Sequence, residues 1–458
     1  MKKTLSLILL LLPFYCFSSI SIKRKLIDVD KKPIPYANVV IKNTAIGVIT
    51  NLDGDFNINI PYEYQESTLV FSSIGYKTKE ILINTIQNSK EYEIILETDI
   101  INLDEITIRV KATNANEIVQ NAFNNYYQNF PSNPFIGKAF LRHTEKTPTE
   151  YKWLVDAAIE IYDPGFNKPS KEIKLNIKEI KRSIDNRSLD SANIYGFYLW
   201  DFRKLSHKKA TTRKKHISKE DSTEIENSIR FQDSRLSSPS RLFTGNLNVI
   251  RYYKQKDAIF DKSLLKKHNF KIDSVLAYNA DEIYKIKITP KLPPAKLNGH
   301  FGTYCLPVGW IYIRAKDYAI IELEYTLINS KKGQIFTHLH RSKIASSFHI
   351  KFIEIDGKMY PKHIIFKAPK SNNLYRVMTN TFDGSKVNPE DYYYETQEVI
   401  FNEIIIDNTI ITKSLEEPWN NNLFTPRPYN IEFWNKYSNM VETKEQKTLR
   451  EALELKKL

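Results

Sequence analysis

The chain has 458 residues, and its 67 basic and 53 acidic side chains give it a formal net charge of +14. With 41% hydrophobic and 26% charged residues, this composition excludes a disordered chain, and the length predicts about two to four folded domains. No two of the 13 glycines lie two, four or five positions apart, which excludes a GxGxxG dinucleotide loop, a GxSxG nucleophile elbow and a P-loop.

The first residues have the pattern of a secretory signal peptide over residues 1–19. Lys2-Lys3 is a positive n-region, Leu5 to Leu12 is an apolar h-region, and Cys16 and Ser18 are the small residues of a cleavage site. Lipidation at Cys16 is an open alternative, although the three residues before it are not the small ones that lipidation favours. We therefore expect an exported protein of the periplasm or outer membrane, with no nucleic-acid partner and no transmembrane helix in the mature chain.

Residues 20–110 have the pattern of a small β-sandwich. Seven short apolar segments alternate with turn residues, and Asp53-Gly54 is typical of a tight hairpin turn. Phe56, Ile58 and Ile60 alternate with Asn57 and Asn59, as expected for a half-buried strand. The count predicts a seven-stranded sandwich.

Three spaced blocks of this segment carry a family resemblance: Pro33 to Val39, Ile46 to Phe56, and Leu69 to Tyr76. Together with Leu103 to Ile108 they resemble the carboxypeptidase-regulatory-like domain, a transthyretin-like sandwich. Such domains stand at the N-termini of TonB-dependent outer-membrane receptors and of other cell-envelope proteins. The module resembles an accessory domain of metallocarboxypeptidases and not their catalytic domain. The resemblance assigns a structural role to six motif residues, with Gly75 as a turn position that needs a flexible backbone: Gly47, Asp53, Gly54, Phe56, Gly75 and Tyr76.

Residues 111–270 are expected to form a helix followed by a mixed α+β region. Over 114–127 an apolar stripe at helical spacing follows Asn114, which is placed to cap the helix, with Glu117 three residues later. Strands are expected around 139–143 and 151–162. Residues 203–219 contain eight Lys or Arg and no acid. This composition favours a solvated loop, and a site for anionic headgroups is the alternative.

Residues 271–440 have the pattern of an antiparallel β-meander with one apolar and one charged face, and 441–458 that of a C-terminal helix. Alternation is clear from Ala319 to Leu327 and from Phe348 to Phe352. The strand rhythm resembles the half-barrel sheets of periplasmic lipoprotein-carrier proteins. The expected fold class is mainly β, with the sandwich followed by an α+β region that contains a large antiparallel, half-barrel-like sheet. Whether 111–458 forms one domain or two is left open.

The sequence contains no local signature of catalytic chemistry. No His has Glu three positions later, so the HxxE zinc pair of metallocarboxypeptidases is missing, as is HExxH. His338 and His340 share a strand face without an evident third ligand. Glu322 and Glu324 are interpreted as a solvated strand face paired with neighbouring Lys, and Cys305 as a small buried hydrophobe. No catalytic residue, metal site or cofactor is expected.

These observations favour a non-enzymatic envelope protein, in which the sandwich is a docking or spacer module and the C-terminal sheet binds a partner protein or an apolar ligand. A periplasmic carrier of lipids or lipoproteins is an alternative, and so is an outer-membrane-associated component related to TonB-dependent receptor systems. A small outer-membrane barrel and a peptidase fit the sequence less well, because charged side chains would face lipid in the first and the zinc pair is missing from the second.

Overall fold

The computed structural model describes eleven parts of the chain: residues 19–99, 114–147, 149–183, 243, 251, 268–291, 305–330, 343–371, 392–421, 428–438 and 440–455. Several sequence predictions lie outside the described residues. They are the signal peptide up to residue 18 with Cys16, the block Leu103 to Ile108, the basic segment 203–219, and the histidine pair His338 and His340.

The N-terminal domain is a sandwich of a three-stranded sheet, in the order β4-β1-β7, on a four-stranded sheet, in the order β3-β2-β5-β6. This confirms the expected seven strands. Phe56 of the first sheet and Phe71 of the second are fully buried, with ring centroids 5.8 Å apart, and they join the two inner faces. The strands are β1 (Ser19–Asp28), β2 (Asn38–Ile41), β3 (Gly47–Ile49), β4 (Asp55–Pro61), β5 (Thr68–Ser72), β6 (Lys79–Leu82) and β7 (Glu93–Leu96).

A short helix, α1 (Ile83–Asn88), follows β6 and was not predicted. Ile83 and Ile86 are its buried residues, and both belong to the sandwich core. Arg24 donates hydrogen bonds to the carbonyls of Ile86 and Ser89 at the end of this helix, at 2.7 and 2.9 Å. Tertiary burial and this side-chain cap therefore stabilise a segment that is too short to be helical on its own.

The helix predicted over 114–127 is present but interrupted. It consists of α2 (Ala115–Asn124) and the single turn α3 (Tyr126–Asn129), with Asn125 between them at φ −89° and ψ 6°. Asn114 caps α2 by accepting a hydrogen bond from the Asn116 amide at 3.0 Å. The buried stripe packs α2 against the apolar face of the large sheet.

Among the residues that the structure describes, ten antiparallel strands form one open sheet in the order β10-β9-β8-β17-β16-β15-β14-β13-β12-β11. Because β8 pairs with β17, strands from 111–270 and from 271–440 lie in the same sheet. The strands are β8 (Phe135–Lys146), β9 (Tyr151–Asp163), β10 (Lys174–Arg182), β11 (His268–Tyr278), β12 (Asp281–Pro290), β13 (Cys305–Arg314), β14 (Ile320–Asn329), β15 (Ile344–Ile355), β16 (Lys358–Ser371) and β17 (Tyr392–Ile405).

The two faces of this sheet differ as the alternation predicts. Leu323 and Phe348 are among the side chains that pack into the main apolar core, while Glu322 and His349 point to the opposite face. The expectation that the charged face is solvated is wrong, however, because the N-terminal sandwich lies on this face and buries part of it. Glu322, for example, is only 6% exposed, whereas the sequence indicated a solvated position.

Three further helices follow β17 in the described parts of the chain: α4 (Asn408–Glu416), α5 (Ile431–Lys436) and α6 (Lys444–Leu455). The C-terminal helix agrees with the prediction, and its Leu453 packs against Tyr151 and Leu154 at β9. Among the described residues, no helix has both the length and the apolar character that crossing a bilayer requires.

Candidate functional site

The sandwich is attached to the charged face of the large sheet through a contact region that we call the joint. Two lysines of the sheet reach into the sandwich and bind backbone carbonyls. Lys351 of β15 donates to the carbonyl of Tyr36 at 2.9 Å, and Lys362 of β16 donates to the carbonyl of Gly47 at 2.8 Å. Lys362 also donates to Phe401 of β17 at 2.7 Å, so one ammonium group links two strands of the sheet to the sandwich.

Lys362 is buried in an unusual way for a lysine. Its side chain is among the largest that are fully buried, and the acceptors named above are carbonyl groups and not carboxylates. Burial penalises the charged ammonium and lowers the pKa of Lys362 to about 7. The joint therefore contains a group whose protonation changes near neutral pH.

Beside Lys351 lies a cluster of ionisable side chains on β14 and β15. His349 Nε2 is 2.6 Å from Glu322 Oε1, and Lys351 Nζ is 3.3 Å from Glu322 Oε2. Burial alone would raise the pKa of Glu322, but the charge of Lys351 and the hydrogen bond with His349 outweigh it and lower this pKa to about 2. Glu322 is thus a buried carboxylate that remains ionised at all ordinary pH values.

Glu324, two positions further along β14, extends the cluster. It is half-buried, pairs with His349 across the strands, and accepts a hydrogen bond from the Tyr312 hydroxyl at 3.1 Å. Ligand atoms of Glu322, Glu324 and His349 all lie within 4.8 Å of one another. Among the described residues, these three side chains have the composition and spacing of a metal-binding group.

The ring of Tyr36 covers this cluster from the sandwich side. Its centroid lies 5.4 Å from that of His349 and 5.0 Å from that of His363. His363 is fully buried and its Nε2 lies 2.7 Å from Glu398 Oε1. Burial lowers the pKa of His363 although the hydrogen bond to Glu398 opposes the shift, so the neutral imidazole is favoured under the Tyr36 ring.

Further charged side chains lie on β8 and β9. Arg142 binds Asp156 through two hydrogen bonds of 2.8 and 2.9 Å, and both side chains are buried. Glu442, just before α6, lies 3.8 Å from the same guanidinium. The two hydrogen bonds make Asp156 a structural partner of Arg142.

The chain that leads into α6 also contacts the sandwich. Asn51 donates to the Val441 carbonyl at 3.1 Å, and the Lys444 amide donates to Asp53 at 3.0 Å. The Asn59 amide donates to the Ser438 hydroxyl at 2.9 Å. The sandwich is therefore held between the sheet and the C-terminal segment 436–444.

The six motif residues fall into two groups. Phe56 and Tyr76 pack in the sandwich core, and Gly54 stands in the turn before β4 with φ +79°. The other three contact the rest of the chain. Gly47 accepts the hydrogen bond from Lys362, Asp53 accepts one from the Lys444 amide, and Gly75, at φ +84°, donates to Ala277 at 2.8 Å.

The opposite, apolar face of the sheet carries a small cavity. Its volume is about 40 Å³, and its lining is mostly aromatic and branched aliphatic: Phe135, Ile161, Phe166, Ile350, Phe352 and Phe401. Ligand pockets for small molecules are typically about 300–1,000 Å³. The cavity is too small for an acyl chain in this conformation.

Cys305 is buried, as the sequence indicated, and burial raises the pKa of its thiol.

Sequence reasoning missed the joint and both buried lysines. The alternation on β15 places Lys351 on a polar face, which normally indicates exposure. Its acceptor, the Tyr36 carbonyl, lies 315 residues away along the chain, and Lys362 reaches over the same separation to Gly47. A backbone acceptor has no side-chain signature, so nothing in the local pattern of either lysine marks this contact.

Residues 24–108 match the family model of the CarboxypepD_reg-like domain, which confirms the resemblance of the N-terminal segment. A TonB-dependent receptor, P39, from Formosa agariphila is 34% identical over 80 residues, which cover 17% of this chain and 7% of the receptor. The TonB-dependent receptor SusC from Bacteroides thetaiotaomicron is 34% identical over 89 residues, which cover 19% of this chain and 8% of the receptor. The chain thus spans less than a tenth of the length of these relatives.

Two solved structures align with about two thirds of the chain at 8% identity. A LolA superfamily protein from Nitrosomonas europaea aligns with 65% of this chain and 94% of its own, with a TM-score of 0.20. A DUF1329 family protein from Desulfovibrio piger aligns with 64% and 93%, with a TM-score of 0.22. Matches at these scores carry no argument about function. What stands is a mainly β chain whose N-terminal domain is of a regulatory-like and non-catalytic family.

Proposed function

We propose that the chain is a non-enzymatic protein of the cell envelope that recognises a partner protein. The N-terminal domain is the docking module, and the ten-stranded sheet is the body that carries and orients it. The family match of residues 24–108 and the partial similarity to TonB-dependent receptors support an envelope role, and the predicted signal peptide supports export to the periplasm or the outer membrane.

The observation that carries this proposal is the joint. A spacer would be linked to its neighbour by a solvated connection, because few contacts cross a flexible boundary. Here Lys351 and Lys362 are both buried and each binds a carbonyl of the sandwich. The C-terminal segment adds hydrogen bonds on a second side, such as that from Asn51 to Val441. We infer that the sandwich is presented in one fixed orientation.

We infer that exposed side chains in two turns of the sandwich provide the contact surface for the partner. Val29 and Leu52 lie in turns that flank β1 and β4, and 57% and 54% of their respective areas are exposed. Large apolar side chains that stay in water are favourable contacts when a partner covers them. A partner protein with an apolar patch would be bound there.

A periplasmic carrier of lipids or lipoproteins is the second candidate. The aromatic lining of the apolar face favours it, since Phe135, Phe352 and Phe401 surround the cavity there. The small volume of about 40 Å³ opposes it, because the sheet would have to open before an acyl chain could enter. A partner protein therefore remains the preferred ligand, and it would bind at the sandwich and not in the cavity.

Native mass spectrometry of the chain, purified gently from the cell envelope, tests the two candidates. The proposal expects a stoichiometric partner protein and no lipid mass. Val29→Asp should abolish binding of that partner. Ile431→Asp is the matched control and should retain the partner, because Ile431 is equally exposed at 59% but lies outside the sandwich.

Three results would contradict the proposal. A reproducible lipid mass on the wild-type chain would establish the carrier function instead. Equal loss of the partner in both aspartate variants would show that the sandwich is not the docking module. Hydrolase activity of the purified chain that disappears with a single substitution would exclude the non-enzymatic role.

A further inference from the structure

Three metal-ligating side chains converge on the charged face of the sheet, next to the joint. Glu322 and Glu324 lie two positions apart in β14, so both carboxylates point to the same face. His349 lies directly opposite Glu324 on β15, and ligand atoms of all three residues lie within 4.8 Å of one another. We propose that Glu322, Glu324 and His349 bind a divalent transition-metal ion such as Zn²⁺.

The donor set fits this class of ion. An imidazole nitrogen together with two carboxylate oxygens is a common protein ligand set for Zn²⁺, with bonds of about 2.0–2.2 Å. Such bonds place neighbouring ligand atoms roughly 3.4 Å apart in a tetrahedral site. The contact of 2.6 Å between His349 Nε2 and Glu322 Oε1 would open as the ion enters, and the wider spacings of up to 4.8 Å would close by torsion changes in the glutamates.

Each carboxylate is already held by a second group that leaves one oxygen for the ion. Lys351 Nζ lies 3.3 Å from Oε2 of Glu322, which leaves Oε1 facing His349. The Tyr312 hydroxyl donates to Oε1 of Glu324, which leaves Oε2. Outer groups of this kind fix the orientation of metal ligands and are part of a functional site. Tyr312 and Lys351 are thus positioning residues in the proposal.

Access and charge are also compatible with an ion. Glu324 is half-buried, and 19% of the His349 side chain is exposed, so the cluster opens to solvent on one side. The two carboxylates and Lys351 together carry one negative charge, which attracts a cation and becomes one positive charge when it binds. The nearby charges of Asp273 and Lys285 lie 3.9 Å from one another and largely cancel.

Titration with Co²⁺ alone tests the site. The full mature chain, without a histidine tag, is stripped with EDTA, and binding is followed by visible ligand-field absorption. We expect one Co²⁺ per chain, displaced by Zn²⁺. Glu324→Gln, which retains an acceptor for Tyr312, should weaken binding at least about tenfold, as even outer-shell changes do. Glu80→Gln is the control, because Glu80 forms an exposed pair with Lys42 on the sandwich surface.

A second variant guards against a trivial loss of structure. His349→Gln removes the nitrogen ligand, so the Co²⁺ spectrum should lose its saturable band while circular dichroism shows an unchanged fold. The absence of saturable Co²⁺ binding to the wild-type chain would overturn the proposal. Binding of equal strength in wild type, Glu324→Gln and His349→Gln would overturn it too, because the ion would then occupy other residues.

Discussion

The ammonium group of Lys362 lies 2.8 Å from the carbonyl oxygen of Gly47, in the middle of the joint. A Cβ atom at position 47 would stand only 2.5 Å from the Val39 carbonyl, so the close approach of β3 to β2 requires glycine here. The sandwich offers a backbone acceptor at this position, and the sheet offers a buried donor. A glycine of the family motif therefore contacts a lysine that follows it by 315 residues.

The first prediction concerns the pH dependence that Lys362 imposes on stability. Its pKa is about 7 in the folded chain and near 10.5 when exposed, so the unfolded state binds the proton first as the pH falls. As the pH falls from about 9.5 to about 7.5, the free energy of unfolding of the wild type should therefore decrease relative to that of Lys362→Met. The slope should reach about 1.4 kcal/mol per pH unit. Below about pH 7 the difference should become constant.

Urea unfolding at a series of pH values measures this difference. Lys138→Met is the matched control, since Lys138 pairs with Glu403 at the surface and 44% of its side chain is exposed. The control should show no such slope. A difference between wild type and Lys362→Met that is flat over the whole range would mean that the amine is not desolvated as the structure indicates.

A second prediction addresses the buried pair of Arg142 and Asp156. Arg142→Met should destabilise the chain by about 3–5 kcal/mol, because it leaves the Asp156 carboxylate buried without its cation. The double variant Arg142→Met with Asp156→Leu should recover most of that loss, since an apolar pair of similar size replaces both charges. Thermal unfolding of the three chains decides the matter, and a double variant as unstable as the single one would argue against this account.

The sequence predicted the elements of this fold better than their arrangement. Alternation around Phe56 and the Asp53-Gly54 turn predicted the sandwich strands, and periodicity after Asn114 predicted α2, because these signals are local. The pairing of β8 with β17 joins segments that are more than 200 residues apart, and no local pattern specifies it. The candidate site depends on this arrangement. Glu322 was interpreted as solvated because a single sequence does not show that another domain covers the face.

A third prediction compares two glycines of the sandwich that share a positive φ. Gly54 and Gly75 have φ values of +79° and +84°, a region that costs other residues about 1–2 kcal/mol. A Cβ on Gly75 would meet nothing within 4 Å, whereas one on Gly54 would stand 2.4 Å from the Leu26 carbonyl. Gly75→Ala should therefore lower the free energy of unfolding only by the cost of the positive φ. Gly54→Ala should lower it clearly more, because the clash with the Leu26 carbonyl is added. Chemical denaturation of both variants tests this, and equal losses would contradict the steric argument.

The last prediction concerns the reactivity of Cys305. Its thiol is buried, which raises its pKa and reduces the fraction of reactive thiolate. A disulfide reagent such as dithiobis(nitrobenzoate) should label the Cys305 thiol of the folded chain much more slowly than that of the chain unfolded in guanidinium. The chain isolated from the envelope should expose a single equivalent of thiol on unfolding, because the signal peptide predicted for residues 1–19 would take Cys16 with it when cleaved near Ser18. A second equivalent would show that Cys16 is retained as a free thiol, and the intact mass would distinguish a lipidated Cys16 from a cleaved one. Rapid labelling of the folded chain would contradict the burial of Cys305.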